Sequence, residues 1–374
     1  MSSLKIAFLG SRGIPRCYSG FETAVEEVSV RLARMGHRVT VYNRIPYNKY
    51  SGSEFHGVQI VKMPTIQAKG TDTLVHSALC TLDTLWKKFD IVYYCGVGSS
   101  VFCLPAKLRG AKTVVNVDGA DWERAKWGML GKKWLRWSEE MAAGSADSVI
   151  ADHPLIRDRY LRQFGKECDL ISYGADVVEA DPGREALSRF HLHPHGYFLF
   201  VSRLTPENGA DMVMEGYLKS GVEMPLVVVG DAPYLPEYQE KLKSLVVEGN
   251  GRILMTGYQF GEAYRQLSFH ARAFVFPTTI EATRPVLLEQ MGMGSCILAR
   301  DTPANRHILG DAGVWFSSGV PSLAAGMKGV ADPGHDPVRQ SALARKRIRD
   351  FYTWDLVAKQ YHELFLGLKA GRRK

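Results

Sequence analysis

The stretch Glu281-Ala-Thr-Arg-Pro-Val-Leu-Leu-Glu289 gathers groups that could do chemistry: two glutamates eight positions apart, an arginine, and a proline at 285. Proline suits the first position of a helix, because the N–H it lacks would be unpaired there anyway. A helix starting at Pro285 would leave the backbone N–H groups of Val286, Leu287 and Leu288 pointing outward as an anion site. Glu289 would stand one turn into that helix, with Glu281 in the loop before it. An anion cradle flanked by two carboxylates suits a ligand that is phosphate at one end and polyhydroxylated at both, a nucleotide sugar. A surface helix with two solvated acids would satisfy the same spacing, and spacing alone does not choose between them.

The elements that must carry these residues follow from the apolar pattern. In the first half strands are expected at 4–10, 38–44, 58–64, 90–96, 111–118, 148–153 and 169–173. Runs such as Ile91-Val-Tyr-Tyr and Thr113-Val-Val-Asn-Val are nearly unbroken, as in parallel strands buried on both faces. Phe21, Val25, Val28 and Leu32 form the stripe of an amphipathic helix that Gly36 ends. The polar stretch 177–195 reads as a linker between a domain at 1–176 and one at 196–350. The second domain is expected to hold strands at 197–203, 225–231, 252–257, 273–277 and 296–300, with helices at 208–220, 234–248, 261–270 and 285–293. Two rounds of strand–helix alternation predict two doubly wound, Rossmann-like α/β domains facing across a cleft, and ligands of such sheets bind at the carboxyl ends of the strands.

Composition agrees with a soluble enzyme. The 374 residues suffice for two domains, with an apolar fraction of 45% and a charged fraction of 23%. No apolar run reaches the length of a membrane span, and Met-Ser-Ser-Leu-Lys leads into a strand without a signal peptide, so a cytoplasmic protein is expected. The six cysteines form no CxxC pair, which points to reduced thiols. A net charge of +8 calls for an acidic partner: a nucleotide, an anionic lipid surface or nucleic acid.

The first strand-to-helix turn, Gly10-Ser-Arg-Gly-Ile-Pro-Arg-Cys-Tyr-Ser-Gly-Phe-Glu22, is glycine-rich. It is neither G-x-G-x-x-G nor Walker A, which disfavours a dehydrogenase and a P-loop enzyme. Gly13 and Gly20 permit close backbone approach, so the turn reads either as a flexible loop over a diphosphate and an acceptor or as an ordinary long loop.

These residues, with Met35-Gly-His-Arg-Val-Thr-Val-Tyr42, resemble the amino-terminal domain of glycosyltransferase family 4, of GT-B fold. Asn116-Val-Asp-Gly-Ala-Asp-Trp-Glu-Arg-Ala-Lys-Trp-Gly128, Ser202-Arg-Leu-Thr-Pro-Glu-Asn-Gly209 and Val229-Gly-Asp-Ala-Pro-Tyr234 are similar to its rhamnosyltransferase-like branch in bacterial polysaccharide assembly. The segment 281–289 matches the family's E-x7-E, and Thr353-Trp-Asp through Phe365 its closing helix, at 354–366, which would pack back on domain one.

The resemblance implies that the second domain holds the donor. Glu289 would accept from ribose hydroxyls. Glu281 would face the transferred sugar, and Thr283, Arg284, Pro285, Val286 and Leu287 would line the sugar and diphosphate. Arg203 would neutralise the leaving diphosphate, where negative charge grows as the glycosidic bond breaks. Where many members have a lysine, this chain has Asn208, which can donate a hydrogen bond without charge; Arg284 is the candidate to replace the cation. Gly13 would also approach the donor. Where many members carry a histidine near the donor sugar, Asp118 stands at a strand end, as a sugar ligand or as the base. Tyr18, Gly20, Phe21 and Asp121 are assigned to the acceptor side.

Neither metal nor cofactor is expected: no D-x-D lies at a strand end, and His191, His193 and His195 lie in the polar stretch without acid or thiol neighbours. Arg124, Lys126, Lys132, Lys133 and Arg136 interleave with Trp127, Trp134 and Trp137, a mixture that fits a lipid headgroup region or an inward-packed helix. The expectation is a metal-independent, retaining glycosyltransferase, cytoplasmic and peripheral on the inner face of the plasma membrane. It would move a sugar, rhamnose as first guess, from a dTDP-, UDP- or GDP-sugar to a glycan carried on a polyprenyl diphosphate, with no nucleic-acid partner. A GT-B-fold nucleotide-sugar epimerase or hydrolase and a catalytically silent homologue are the alternatives.

Overall fold

The computed structural model describes residues 3–16, 20–67, 71–123, 127–231 and 235–371. The chain divides into two compact units. The first comprises Met1–Tyr173, Glu281–Thr283 and Trp354–Lys374; the second comprises Gly174–Ile280 and Arg284–Thr353.

The first unit is built on strands β1 (Lys5–Leu9), β2 (Arg38–Arg44), β3 (Glu54–Phe55), β4 (Val58–Met63), β5 (Ile91–Cys95), β6 (Lys112–Val117), β7 (Ser148–Ala151) and β8 (Asp169–Leu170). They form one sheet in the order β3-β4-β2-β1-β5-β6-β7-β8, parallel except for the β3–β4 hairpin. Ile6, Leu9, Val41, Ile91, Val92, Val114, Val115 and Val149 are fully buried, which is why these strands read as continuous apolar runs. The last expected strand is cut to Asp169–Leu170, two exposed residues at the sheet edge. Helices α1 (Gly20–Arg34), α2 (Asp72–Lys87), α3 (Cys103–Lys107), α4 (Met129–Ser145) and α5 (Pro154–Phe164) complete the alternation. Val25, Val28 and Leu32 of α1 are buried as the stripe requires.

In the second unit, α6 (Glu185–Arg189) precedes β9 (Phe198–Val201), α7 (Ala210–Ser220), β10 (Leu226–Val229), α8 (Pro236–Glu248), β11 (Ile253–Gly257), α9 (Gly261–Phe269), β12 (Ala273–Phe276), α10 (Pro285–Met293), β13 (Ile297–Arg300), α11 (Pro303–Leu309), β14 (Gly313–Phe316), α12 (Gly319–Ala331) and α13 (Pro337–Arg347). The sheet is wholly parallel, in the order β11-β10-β9-β12-β13-β14. Strand order reverses beside β1 in one sheet and beside β9 in the other, the topological switch points where such folds bind ligands. The stretch read as a linker is structured and belongs to the second unit. Ala186 and Leu187 of α6 are buried, and Gln266 of α9 accepts the Ala186 N–H at 2.8 Å and donates to the Pro182 carbonyl at 3.0 Å.

The last helix, α14 (Trp354–Lys369), is part of the first unit. Trp354, Tyr361 and Phe365 are buried, Arg31 of α1 donates to Asp355 at 2.6 Å, and Lys369 pairs with Asp90 at 2.5 Å. Among the described residues no helix is long and apolar enough to cross a membrane. The five described cysteines are free thiols; burial pushes those of Cys103, Cys168 and Cys296 up to about 12, out of the reactive range.

Candidate active site

In the second unit the site-bearing residues leave the carboxyl ends of β9 and β12. Beyond β9 the chain runs alongside the end of β10: the Ser202 N–H donates to Val229 at 3.1 Å and that of Leu204 to Asp231 at 3.0 Å. Gly230 makes this approach possible. A Cβ there would sit 1.8 Å from the Ser202 carbonyl oxygen, and its φ of 139° disfavours any side chain. The glycine of the Val229-Gly-Asp motif therefore sets the path of the segment that carries Arg203, whose side chain is exposed.

Asn208 is buried and turns its amide inward. Nδ2 donates to the Arg203 carbonyl at 2.8 Å and to Thr205 Oγ1 at 3.0 Å, while Oδ1 accepts from Arg284 Nη2 at 3.2 Å. With both amide hydrogens used inside the loop, Asn208 organises the loop instead of donating to a ligand. The cation it was thought to lack stands directly against it, as Arg284. Ser202, Asn208, Pro277, Thr278, Arg284 and Val286 line a small recess at this point.

Helix α10 begins at Pro285 and ends before Gly294, with Arg284 as an extended N-cap. The sequence offered three outward N–H groups here. Leu287 N–H bonds instead to the Arg284 carbonyl at 2.9 Å, and Leu288 N–H reaches the same oxygen at 3.4 Å. The Leu287 side chain is fully buried, so only Val286 keeps an amide that no intrahelical carbonyl takes. One turn on, Glu289 Oε2 accepts from Tyr264 Oη of α9 at 2.7 Å, and Gln290 Nε2 donates to the same phenol oxygen at 3.3 Å. Burial first, then the neighbouring Glu289 carboxylate, raises the Tyr264 phenol well above its ordinary pKa, so it remains a donor.

In the first unit the glycine-rich turn is pinned along its described length. Asn43 Nδ2 donates to the Ile14 carbonyl at 2.6 Å and its Oδ1 accepts the Ile14 N–H at 3.0 Å. Glu22 accepts the Arg12 N–H at 2.9 Å, and the buried Arg44 donates to the Gly10 carbonyl at 3.0 Å and to Asp72 at 2.8 Å. Gly13 is buried, its N–H donates to Ser11 Oγ at 3.1 Å, and a Cβ there would lie 2.1 Å from Asn43 Oδ1. Asn43 alone requires a glycine here, and the expected flexible loop is a braced one through Arg16. Gly20 starts α1, and the half-buried Phe21 packs edge-on against Tyr173 at 6.3 Å. Tyr18, Arg124 and Lys126 lie outside the described residues.

Asp118 follows the last residue of β6, and Asp152 the last residue of β7; the register Val117↔Ala151 places the two at adjacent strand ends. Both influence Tyr173, whose phenol is raised well above its ordinary pKa by burial first and by these two carboxylates next. The turn after Asp118 is fastened from below: Arg159 makes a two-pronged pair with the buried Glu139 at 2.8 and 3.0 Å and donates to the Gly119 carbonyl at 3.2 Å. Trp122 Nε1 also donates to Glu139, at 3.1 Å, and Asp121 accepts from Trp127 Nε1 at 3.1 Å. Thr283, expected at the donor, is buried with Oγ1 donating to the Asp152 carbonyl at 2.7 Å. Glu281, exposed, goes with Thr283 in this first unit, so the E-x7-E pair is divided between the two units.

The comparisons with known proteins fall on both units. Residues 4–176 match a domain of unknown function (DUF1972), and residues 195–332 match the profile described as glycosyl transferases group 1. The second unit thus carries a glycosyltransferase domain match. The alpha-maltose-1-phosphate synthase of Mycolicibacterium smegmatis is 23% identical over 259 residues, 63% of this chain and 66% of that protein, so the match spans just under two thirds of the relative. Among solved structures, sucrose-phosphate synthase from Thermosynechococcus elongatus superposes with a TM-score of 0.81 at 18% identity, covering 98% of this chain and all of that one. The Anabaena protein HepE in complex with UDP and glucose gives 0.78 at 15% identity, with 97% and 100% covered. The fold is GT-B.

Sequence reasoning overlooked Tyr264, Asp152, Asn43 and the Glu139–Arg159 pair. Tyr264 had a signal: it lies on the same inner stripe of α9 as the buried Leu267 and Ser268, and a buried phenol needs an acceptor. Asp152 had one too, since it follows an apolar strand as Asp118 does. The partners of Glu139 and Asn43 are distant in sequence, and nothing local announces them. In the basic, tryptophan-bearing segment, Trp134 turns inward, donating to the Gly98 carbonyl at 3.4 Å with its ring 5.1 Å from that of Trp137, and Arg136 stacks on Trp122 at 4.2 Å. Of the three tryptophans, Trp137 alone is exposed. Among the described residues no three His, Cys, Asp or Glu side chains converge as a metal site.

Proposed function

We propose that the enzyme transfers a sugar from a nucleoside diphosphate donor, held by the second unit, to a growing glycan carried on a polyprenyl diphosphate. The observation that carries this reading is Arg284 against Asn208, a cation at the head of α10 beside the loop of Arg203. Two guanidiniums there suit a diphosphate, and the Val286 N–H at the positive helix end adds to them. Glu289, oriented by Tyr264, then accepts from the ribose hydroxyls. HepE with UDP and glucose, and starch synthase IV of Arabidopsis thaliana bound to ADP and acarbose, support a nucleoside diphosphate as leaving group.

In the reaction the acceptor oxygen bonds to the anomeric carbon while the bond from that carbon to the phosphate oxygen breaks. Arg203 and Arg284 stabilise the charge that grows on the leaving diphosphate. The acceptor proton passes to Asp118 or to the leaving phosphate oxygen, and Glu281 holds a sugar hydroxyl. Gly20, Phe21, Tyr18 and Asp121 face the acceptor. Retention of configuration, independence of divalent metal, rhamnose from dTDP and work at the cytoplasmic face of the membrane complete the reading.

The test is transfer itself. Purified enzyme is incubated with dTDP-rhamnose, UDP-glucose and GDP-mannose, each with and without Mg²⁺, on a polyprenyl diphosphate disaccharide, and nucleoside diphosphate release is followed. One donor should turn over at the same rate in chelator, and Arg203→Ala should slow it about a hundredfold or more. Release from none of them, or only with Mg²⁺, contradicts the proposal.

A further inference from the structure

In the first unit, α3 with the helical turn before it (Val97–Phe102) packs between α2 and α4, so the three helices form one layer on the sheet. Their outer surface is unusually apolar. Leu82 and Trp86 on α2, and Leu104 and Leu108 on and just after α3, are each four residues apart, so each pair forms one outward stripe. Trp86 is 79% exposed and Leu108 78%; on α4, Met129 is 75% and Leu130 83% exposed, and Trp137 joins them at 44%. Seven large apolar side chains displayed by one layer of a folded unit exceed the scatter expected of an ordinary soluble surface.

The charge around them is one-sided. Lys88, Arg109, Lys132, Lys133 and Arg136 border the stripe and, among the described residues, have no carboxylate partner. Glu140 is the one exposed acid on α2, α3 and α4; Asp83 is taken by Lys87 and Tyr42. A second copy of the chain is a poor occupant, because a two-fold contact through this face would set cations against cations. A layer offering indoles and leucines inside a rim of Lys and Arg matches the headgroup zone of an anionic bilayer, where rings sit at the interface and cations meet lipid phosphate.

We infer that the outer face of α2, α3 and the start of α4 is a membrane-docking surface for anionic phospholipid, with Trp86 and Leu108 as its principal insertions and Lys88 and Arg109 as its phosphate contacts. This moves the contact from the basic segment at 124–137 to a broader face centred on α3. It deepens the proposed lipid-linked acceptor and rests on that reading for its purpose, though not for its chemistry.

The experiment is sedimentation of the full chain with vesicles of phosphatidylglycerol and phosphatidylcholine, against pure phosphatidylcholine, at about 0.1 M salt, where screening is moderate. The chain should partition at least about tenfold better onto the anionic vesicles. Trp86→Ser with Leu108→Ser, and separately Lys88→Glu with Arg109→Glu, should each lower that partitioning at least about tenfold. The thermal midpoint and its rise with nucleoside diphosphate should stay as in the parent. No vesicle binding by the parent, undiminished binding by both variants, or a parent dimer that the apolar variant converts to a monomer would overturn the inference. Vesicle binding that persists while no nucleotide shifts the midpoint would count against the donor reading alone.

Discussion

The two units hold their candidate site residues differently. In the first, the segments at the sheet's carboxyl edge are fastened by polar side chains driven into them: Asn43 and Glu22 into the turn after β1, Glu139 with Arg159 under the turn after β6, Thr283 onto the end of β7. In the second, backbone contacts along Gly230 set the path, and the charged groups are left at or near the surface, with Arg203 exposed and Arg284 and Glu289 half-buried. Conserving shape and presenting charge are separate tasks. The first unit uses its polar residues for shape, and the second leaves its charges at the surface, where the proposed donor would meet them. Substitutions in the first unit should therefore appear as lost stability, and those in the second as lost donor affinity with stability kept.

The largest effect should come from Arg159→Met, which strands the buried Glu139 beside Trp122. Breaking one side of such a pair costs about 3–5 kcal/mol, a fall in the thermal midpoint on the order of ten degrees. Nucleotide affinity of the protein still folded should be unchanged, and an unaltered midpoint would break the comparison. Next is Gly13→Ala, which places a Cβ against Asn43 Oδ1 at a φ of 101°. Urea unfolding should show a loss of about 2–3 kcal/mol, and combining it with Asn43→Ala should cost less than the sum of the two.

Arg284→Ala sharpens the other side. It removes a charged hydrogen-bonding partner of the diphosphate, so nucleotide affinity by calorimetry should fall roughly 10- to 100-fold, equivalent to about 1.4–3 kcal/mol. The unliganded midpoint should stay within about a degree or two. The smallest effect belongs to Tyr264→Phe, which deletes only the 2.7 Å bond that orients Glu289. About 1 kcal/mol, or a several-fold weaker nucleotide, is expected. If Tyr264→Phe weakened binding more than Arg284→Ala, carboxylate orientation would outrank the second cation and the comparison would need redrawing.

Much of the fold was legible because its signals are local. Parallel strands buried on both faces tend to be apolar without interruption, so β5, β10 and β12 stand out of the sequence. Pro285 and Gly294 bracket α10 as helix punctuation does. What the spacing did not show depended on partners it does not announce. The outward N–H of Leu287 was lost to Arg284 by a tightening of the first turn, and that of Leu288 to the ordinary helical bond with the same N-cap carbonyl. Gly13 and Thr283 fit a ligand site by type, yet Asn43 and Asp152, thirty and more than a hundred residues away in the chain, use them for packing. The stretch 177–195 looked like a linker because its apolar residues are few, but Ala186 and Leu187 suffice to seat a short helix once Gln266 serves its backbone.

The central claim is that the second unit holds a nucleoside diphosphate through Arg203, Arg284 and Glu289. Its most direct test is thermal unfolding of the parent and of Glu289→Ala against dTDP, UDP, GDP and ADP. At a hundred times its dissociation constant a ligand bound only by the folded state adds about 2.7 kcal/mol, a rise of several degrees. The account predicts that rise with one nucleotide in the parent, indifferent to Mg²⁺ and lost in Glu289→Ala, whose unliganded midpoint stays the same. No rise with any nucleotide, or an equal rise in Glu289→Ala, would contradict it.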